Sequence, residues 1–425
     1  MRQDGRNPDE DPMNKRKRPS DQIQTSNATS FVEMARNFDS DIRTANLPVY
    51  RASTVLFETL AQAQAGVDAS ERGELGASHY GTIGTPTTFA LRDALARIEG
   101  AGHLCRAALM PSGLMAITTL LLAYLKPGDH ILMTDSAYGP TRVFCKGTLS
   151  KLGVHTTWYD PTITPEKLET LIQPSTRMIF LESPGSYTFE IQDVPGICAM
   201  ARRHKVMTAI DNAWGSPVFA KPFDWGVDAS VLPLTKYWSG HADVLMGAAV
   251  VREEHWLPLW RIVRELGVCV GGDDAALILR GMRTIDVRMQ RHQHNALEIA
   301  RWLERRPEVG AVLHPALPSH PQHVFWKRDF KGSSGLFSFE LRTNSEGRNP
   351  TSTQIAALCE GRRYFGIGYS WGGFESLIFP ARIGSLRSVA PWQGGPLLRV
   401  HIGLEDPADL IADLEAGFSA MARAT

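Results

Sequence analysis

Two apolar runs, V-M-T-A-I-D-N-A-W-G (206–215) and D-A-S-V-L-P-L-T-K-Y-W-S-G-H-A-D-V-L-M-G (228–247), set the architecture of this chain. The first reads as a buried strand that ends in an acid, Asp211, before a loop carrying Trp214. The second delivers Thr235 and Lys236 side by side, and a loop with glycine and histidine follows. An acid at one strand end and a lysine just after the next apolar run can converge at one edge of a parallel sheet. In open α/β sheets that edge is where ligands sit.

The pair suggests a covalent cofactor site. Pyridoxal phosphate chemistry needs a lysine amine for its aldehyde and an acid for its ring nitrogen. A lone lysine and aspartate could equally be a surface amine and a loop cap. The apolar flanks of both residues speak for burial instead.

Outward from this segment the pattern alternates. The spacing predicts a helix over 86–99, a strand over 105–110 and an apolar helix opening at P-S-G-L-M (111–115) and running to Leu125. Strands over 130–134, 154–159 and 178–181 follow, interleaved with helices near 139, over 165–172 and over 194–205. Strand–helix alternation implies right-handed crossovers and a mostly parallel sheet. Residues 273–306 read as one long amphipathic helix linking two domains. Beyond it strands over 335–341 and 397–402 and helices over 351–363 and 407–422 describe a smaller α+β domain. Thr85 and Asp406 stand at N-cap positions, each before a proline.

At 425 residues the chain exceeds the size at which single cores stop growing. The reading is an α/β protein in four parts: a disordered arm (1–30), an extended segment that contacts a neighbouring subunit (31–85), a cofactor-binding α/β domain (86–285) and a C-terminal α+β domain (286–425). The L-P-V-Y-R-A-S-T-V-L-F stretch (47–57) is apolar without belonging to a sheet unit, so another subunit is its natural cover. Hydrophobic residues at 43% and charged residues at 21% are those of a globular enzyme. A net charge of zero offers no field toward nucleic acid or an anionic membrane. The K-R-K-R run (15–18) is offset by Asp9, Glu10 and Asp11. Cys105, Cys145, Cys198, Cys269 and Cys359 are odd in number and scattered, which suits reduced thiols in the cytoplasm. No run is long and apolar enough for a membrane helix, and no histidine spacing suggests a metal.

Other candidates gather around the same sheet edge. Ser112-Gly113-Leu114 joins a strand to a helix, where free N–H groups could hold phosphate. Tyr138, in S-A-Y-G-P-T, could stack on a flat ring or pack on its own domain. Arg399, inside L-L-R-V-H-I-G, could clamp a carboxylate or form a structural ion pair. Ser370-Trp371-Gly372-Gly373 could offer backbone N–H groups or be a plain turn. His241 and His401 read as structural.

Taken together, Y-G-x-x-G-T, S-G-L, D-S-A-Y, E-S-P-G-S, I-D-N-A-W, T-K-Y, H-A-D, R-G-M-R-T, S-W-G-G-F-E-S-L and R-V-H-I-G-L-E-D resemble the Cys/Met-metabolism family of pyridoxal phosphate enzymes. The likeness covers nearly everything from Phe38 onward. E-S-P-G-S and S-W-G-G are similar to the β-lyase branch rather than to the γ-lyases and γ-synthases. The resemblance implies the large aminotransferase-type fold (fold type I), assembled as a homotetramer of two catalytic dimers with shared active sites. It implies Lys236 as the covalent anchor of pyridoxal 5'-phosphate, Asp211 on the pyridine nitrogen and Tyr138 on the ring. The Gly113 and Leu114 N–H groups and the Thr235 hydroxyl would hold the phosphate, with Tyr80 arriving from the neighbouring subunit. Arg399 would take the substrate carboxylate, aided by Ser370 and Trp371. The implied reaction is β-elimination of a sulfur amino acid such as cystathionine, with Lys236 and Tyr138 as catalytic groups. Other reactions on this scaffold, and a cofactor-binding regulator using the basic arm, are the rival readings. Thr82 departs from the family, many of whose members carry a phosphate-binding arginine there.

Overall fold

The computed structural model describes residues 27–34, 44–344, 346–384 and 386–424. The predicted arm up to residue 26, with its basic run, lies outside the described residues.

Seven strands form the first sheet: β1 (Cys105–Met110), β2 (His130–Thr134), β3 (His155–Tyr159), β4 (Thr176–Glu182), β5 (Met207–Asp211), β6 (Ala229–Leu232) and β7 (Gly247–Arg252). Their spatial order is β1-β7-β6-β5-β4-β2-β3, which puts β5, the strand that ends in Asp211, in the middle. Pairings from β6 through β3 are parallel, and β7 runs antiparallel to both of its neighbours. Alternate residues serve opposite faces. Ile179 and Leu181 join one core cluster, whereas Met178 and Phe180 join the other. Both faces are covered, so these strands read as continuous apolar runs rather than alternating ones.

Four antiparallel strands make the second sheet: β8 (Val309–Leu313), β9 (Leu336–Leu341), β10 (Leu377–Ala381) and β11 (Leu397–His401), in the order β10-β11-β9-β8. Its core joins Phe337 and Phe339 to Leu414 and Phe418 of the C-terminal helix Pro407–Arg423. Asp406 caps that helix, accepting from the Ala408 N–H at 2.9 Å.

Three expectations need correction. The stretch read as one helix over 273–306 is two, Gly272–Met282 and Ile285–Glu304. At the break, a Cβ on Gly281 would lie 2.3 Å from the Ser239 carbonyl oxygen, so the backbone there touches the loop after Lys236. Arg288 reaches back over the break to the Gly281 and Tyr237 carbonyls, both at 2.8 Å. The segment read as extended over 31–85 holds a helix, Leu60–Glu71, and residues 27–33, partly assigned to the arm, form another. The sequence L-A-Q-A-Q-A-G-V-D-A-S-E has helix-forming residues but no apolar stripe to announce them; the Thr59 hydroxyl caps it, accepting from Gln62 at 3.1 Å. At Thr85 the capping bond runs the other way, from the Thr85 N–H to the Thr88 hydroxyl at 2.8 Å.

Gly247 shows how tightly β7 supports the turn after β1. A Cβ there would lie 2.4 Å from the Ser112 carbonyl oxygen and 2.7 Å from Gly113 Cα. Gly247→Ala should therefore lower unfolding stability by about 1–3 kcal/mol through overpacking against backbone. Gly147→Ala, where an added Cβ meets nothing within 4 Å, should leave the denaturant midpoint in place. Equal midpoints for the two variants would show that the turn yields.

Candidate active site

M-I-F-L-E and T-A-I-D are both apolar runs that end in an acid. They become β4 and β5, and their last residues, Glu182 and Asp211, are register partners at the carboxyl edge of the sheet. Both carboxyls are buried. Burial pushes Asp211 up to about 7, opposed by the Ala213 N–H, which it accepts at 3.0 Å, and by the charge of Lys236. Burial and the neighbouring Asp211 push Glu182 well above the usual carboxylate range, while its Oε2 accepts from the Tyr138 N–H at 2.6 Å.

After β6 the chain turns at Pro233, where the Lys236 N–H donates to the Pro233 carbonyl at 3.0 Å. Lys236 Nζ then lies 2.6 Å from Ser370 Oγ and 5.0 Å from the centre of the Trp371 ring. Burial, reinforced by the positive charge of Arg399, lowers the amine to about 8, with Asp211 pulling the other way. Arg399, on β11, donates to the Ser370 carbonyl at 3.1 Å, and no carboxylate of the described residues pairs with it. Its guanidinium carbon is 5.6 Å from the centre of the Tyr187 ring.

Ser370 thus meets both cations, and it does so with φ at 75°, a left-handed conformation that side chains seldom adopt. Gly372 must be glycine for the close fit: its φ is 89°, and a Cβ would lie 2.9 Å from the Tyr237 nitrogen. His401 is structural, as expected. Its Nε2 lies 3.2 Å from the Gly373 carbonyl, which anchors the same loop. His241 Nδ1 likewise pairs with a local carbonyl, that of Ser239, at 2.6 Å.

Of the predicted site residues, Lys236, Asp211, Tyr138, Arg399, Ser370 and Trp371 converge. The Tyr138 phenol is raised by burial and then by the charges of Asp211 and Glu182, and the residue as a whole remains 44% exposed. Gly113 and Leu114 occupy the first turn of the helix Gly113–Tyr124, where N–H groups have no intrahelical acceptor. A Cβ on Gly113 would lie 2.8 Å from Pro233 Cβ, so the glycine lets this turn approach the lysine segment. Thr235 is engaged differently from the expectation. Its hydroxyl donates to the Met246 carbonyl at 3.1 Å and accepts from the Met246 N–H at 3.0 Å. Tyr80 is 47% exposed, its backbone bridges to Thr54, and its carbonyl accepts from the Ile83 N–H and the Ser78 hydroxyl, both at 3.0 Å. Thr82, nearby, is also exposed. Glu182 and Tyr187 escaped the reading of single residues. The acid after M-I-F-L was the available signal for Glu182; Tyr187 had none.

These donors fit pyridoxal phosphate. Among the described residues a buried acid lacks a cation except for an amine it already feels, the Gly113 and Leu114 N–H groups lie outside the Ser112 cap in a turn brought close by a required glycine, and a part-exposed tyrosine stands at the same edge. Lys236, Asp211 and Tyr138 could hold the ring, and Gly113 and Leu114 the phosphate.

The model of the Cys/Met metabolism PLP-dependent enzymes matches residues 28–419. The cystathionine beta-lyase MetC of Escherichia coli K12 is 41% identical over 398 residues, covering 92% of this chain and 98% of its own. An L-alanine/L-glutamate racemase of Wolbachia pipientis wMel is 41% identical over 397 residues, 92% of this chain and 96% of its own. Among solved structures, a cystathionine gamma synthase from Xanthomonas oryzae pv. oryzae in complex with aminoacrylate and cysteine superposes with a TM-score of 0.82 at 30% identity, over 94% of this chain and 99% of its own. The chain belongs to the Cys/Met metabolism family of PLP-dependent enzymes. It has the fold type I architecture of that family and uses pyridoxal phosphate.

Only the neutral amine attacks an aldehyde. Covalent capture of pyridoxal phosphate by the cofactor-free enzyme should therefore rise with pH to a half-maximum near 8 and then level off. A solvated lysine would keep gaining to about pH 10.4. Borohydride trapping followed by peptide mass analysis across pH 6–11, on the order of half a unit per step, distinguishes the two profiles.

Proposed function

We propose that this enzyme is a carbon–sulfur β-lyase that converts cystathionine to homocysteine, pyruvate and ammonia. One observation carries the reading: a single buried amine and the arginine of the small sheet bond to the same residue, Ser370, and the amine also feels the charge of the acid that ends the middle strand. That is the equipment for taking a proton from an amino acid held by its carboxylate. The likeness to a cystathionine beta-lyase over 92% of the chain supports a β-leaving thiolate.

Lys236 would carry the cofactor covalently, Asp211 would face its ring nitrogen and Tyr138 its ring. The Gly113 and Leu114 N–H groups would take the phosphate, joined by the Thr235 hydroxyl on giving up its Met246 bond, and by Tyr80 of a second copy. Bound there, pyridoxal phosphate would supply a carbonyl carbon that exchanges the Lys236 amine for the substrate amine, so freeing Lys236, and a cationic ring to accept the electron pair left on Cα. Arg399 binds the α-carboxylate and so orients the Cα–H bond toward Lys236. Ser370 Oγ, 2.6 Å from Nζ, steadies the amine that removes this proton. An amine near pH 8 is a far better base at neutral pH than one near 10.4. Asp211, drawn toward its charged form by an adjacent cation, keeps that ring nitrogen protonated. The Cβ–S bond then breaks with its electron pair on sulfur, and Lys236 or Tyr138 returns a proton to the thiolate. The three-carbon enamine left behind hydrolyses to pyruvate and ammonia.

The same proposal includes assembly with further copies. Leu56 and Leu60 are 89% and 91% exposed on the N-terminal segment, an apolar surface that a homotetramer of two catalytic dimers would cover. Leu60→Asp should then lower the mass measured by light scattering; an unchanged mass assigns the segment another role.

Incubation with cystathionine should release homocysteine and pyruvate in equal amounts. Lys236→Ala should abolish both products along with the visible absorbance of the bound cofactor. A 2-oxobutyrate product would assign γ-elimination instead, and D-alanine formed from L-alanine would assign racemisation. Pyruvate at the wild-type rate from Lys236→Ala refutes the role given to the lysine.

A further inference from the structure

Between β10 and β11 the small domain sends a long loop back onto the large one, and Arg387 on that loop is buried. Its nearest carboxylate, Glu190, is 3.7 Å away. Its hydrogen bonds go instead to oxygens of two other loops. Nη1 donates to the Asp135 carbonyl at 2.7 Å; Nη2 donates to the Ser186 carbonyl at 2.8 Å and to the Thr188 hydroxyl. The Asp135 carboxylate holds the strap in return. It accepts from the N–H groups of Ser388, Val389 and Ala390 at 2.8–3.0 Å. Arg142 closes the cluster, donating to Asp135 and to Ser388, each at 2.8 Å.

The two loops so tied carry the two tyrosines of the pocket. Tyr138 follows Asp135 by three positions, and Tyr187 lies between the two residues that Arg387 grips. Tyr187 has φ at 68° and Phe189 at 58°. Left-handed backbone at non-glycine residues persists only where the surroundings over-determine it. Here Arg387 bonds both sides of Tyr187, and the Ser186 N–H donates to the Ser136 carbonyl at 2.9 Å. The result of this constraint is specific: the Tyr187 ring stands 5.6 Å from the guanidinium carbon of Arg399.

We propose that Tyr187 is a specificity-determining residue of the substrate pocket, walling the space over Arg399 in which an amino-acid carboxylate is received, and that Arg387 is the positioning residue that keeps it there. The proposal rests on the reading of Arg399 as the carboxylate clamp. The tyrosine covers one side of the guanidinium, so a planar α-carboxylate reaches it edge-on while a bulkier tetrahedral acid group is rejected.

Steady-state kinetics on the holoenzyme test it, with cofactor affinity measured separately by titration of the visible absorbance. Tyr187→Ala should raise KM for the thioether amino acid by about tenfold, the worth of one pocket contact. The same variant should lower kcat much less, and cofactor affinity should stay at the wild-type value. It should also bind the phosphonate analogue of the amino acid, whose tetrahedral acid group the parent excludes. Arg387→Met should reproduce the KM rise, and Arg387→Lys should recover part of it. Arg399→Leu is run beside them. If Arg399→Leu leaves KM unchanged, the clamp reading fails. If Arg399→Leu raises KM while Tyr187→Ala does not, the present proposal fails alone. Loss of cofactor in Tyr187→Ala, with KM and kcat falling together, would reduce Tyr187 to a structural part of its loop and overturn the proposal. Should Arg387→Met not fold, Tyr187→Ala, whose side chain faces the pocket rather than the core, still gives the answer.

Discussion

Asp211 sits at the end of the middle strand of the large sheet, buried, with the Ala213 N–H and the charge of Lys236 answering its own. Removing a carboxylate from water is costly unless a cation or hydrogen bonds replace the solvent. The same burial depresses Lys236. Burial thus disfavours the charged form of each group; a bound cationic ring would give Asp211 the opposite charge it lacks, and covalent capture would remove the charge of the amine. Glu182 sharpens the effect, because a second buried acid alongside the first makes another negative charge still harder to hold. The seven-stranded sheet exists to keep these groups out of water and in register, through parallel pairings that bring Glu182 opposite Asp211.

The small domain completes the site rather than merely flanking it. Arg399 arrives on β11, and the loop of Ser370 to Gly373 is threaded against Lys236 so closely that glycine is required at 372. Ser370 is held in an unfavourable backbone conformation while bonding to both cations. Such strain survives because the fixtures around it are rigid: the Arg399 bond, the His401 anchor on Gly373, and the packing of Tyr237 on Trp371 at 5.5 Å between ring centres. Arg288, clasping the Tyr237 carbonyl from the helix that joins the domains, ties the lysine segment to that same frame.

Much of this was legible in the residues. The parallel strands announced themselves because burial on both faces demands unbroken apolar runs, and Asp211 and Lys236 stood out as charges at the ends of such runs. Arg399 was visible for the same reason. The helix Leu60–Glu71 was not, since its residues present no apolar stripe. The break at Thr284 was also hidden: it answers a contact between Gly281 and Ser239, some forty residues apart, and leaves no mark on the local pattern. Thr235 looked free to donate, yet its hydroxyl is occupied by the Met246 backbone, an acceptor placed there by the antiparallel entry of β7.

The order of residues alone was enough for the fold class and for marking Lys236 and Asp211 as charges flanked by buried runs, because hydrophobic periodicity and charge placement are local properties of a chain. The motifs further pointed to a family. The folded arrangement was needed for everything that depends on distance between remote segments. It placed Glu182 beside Asp211, brought Arg399 and Ser370 from the second domain onto the amine, and made Arg387 a staple over Tyr187. Those contacts join neighbouring strands, as for Glu182 and Asp211, or residues more than a hundred positions apart. Their geometry follows from packing, which no single stretch of sequence contains.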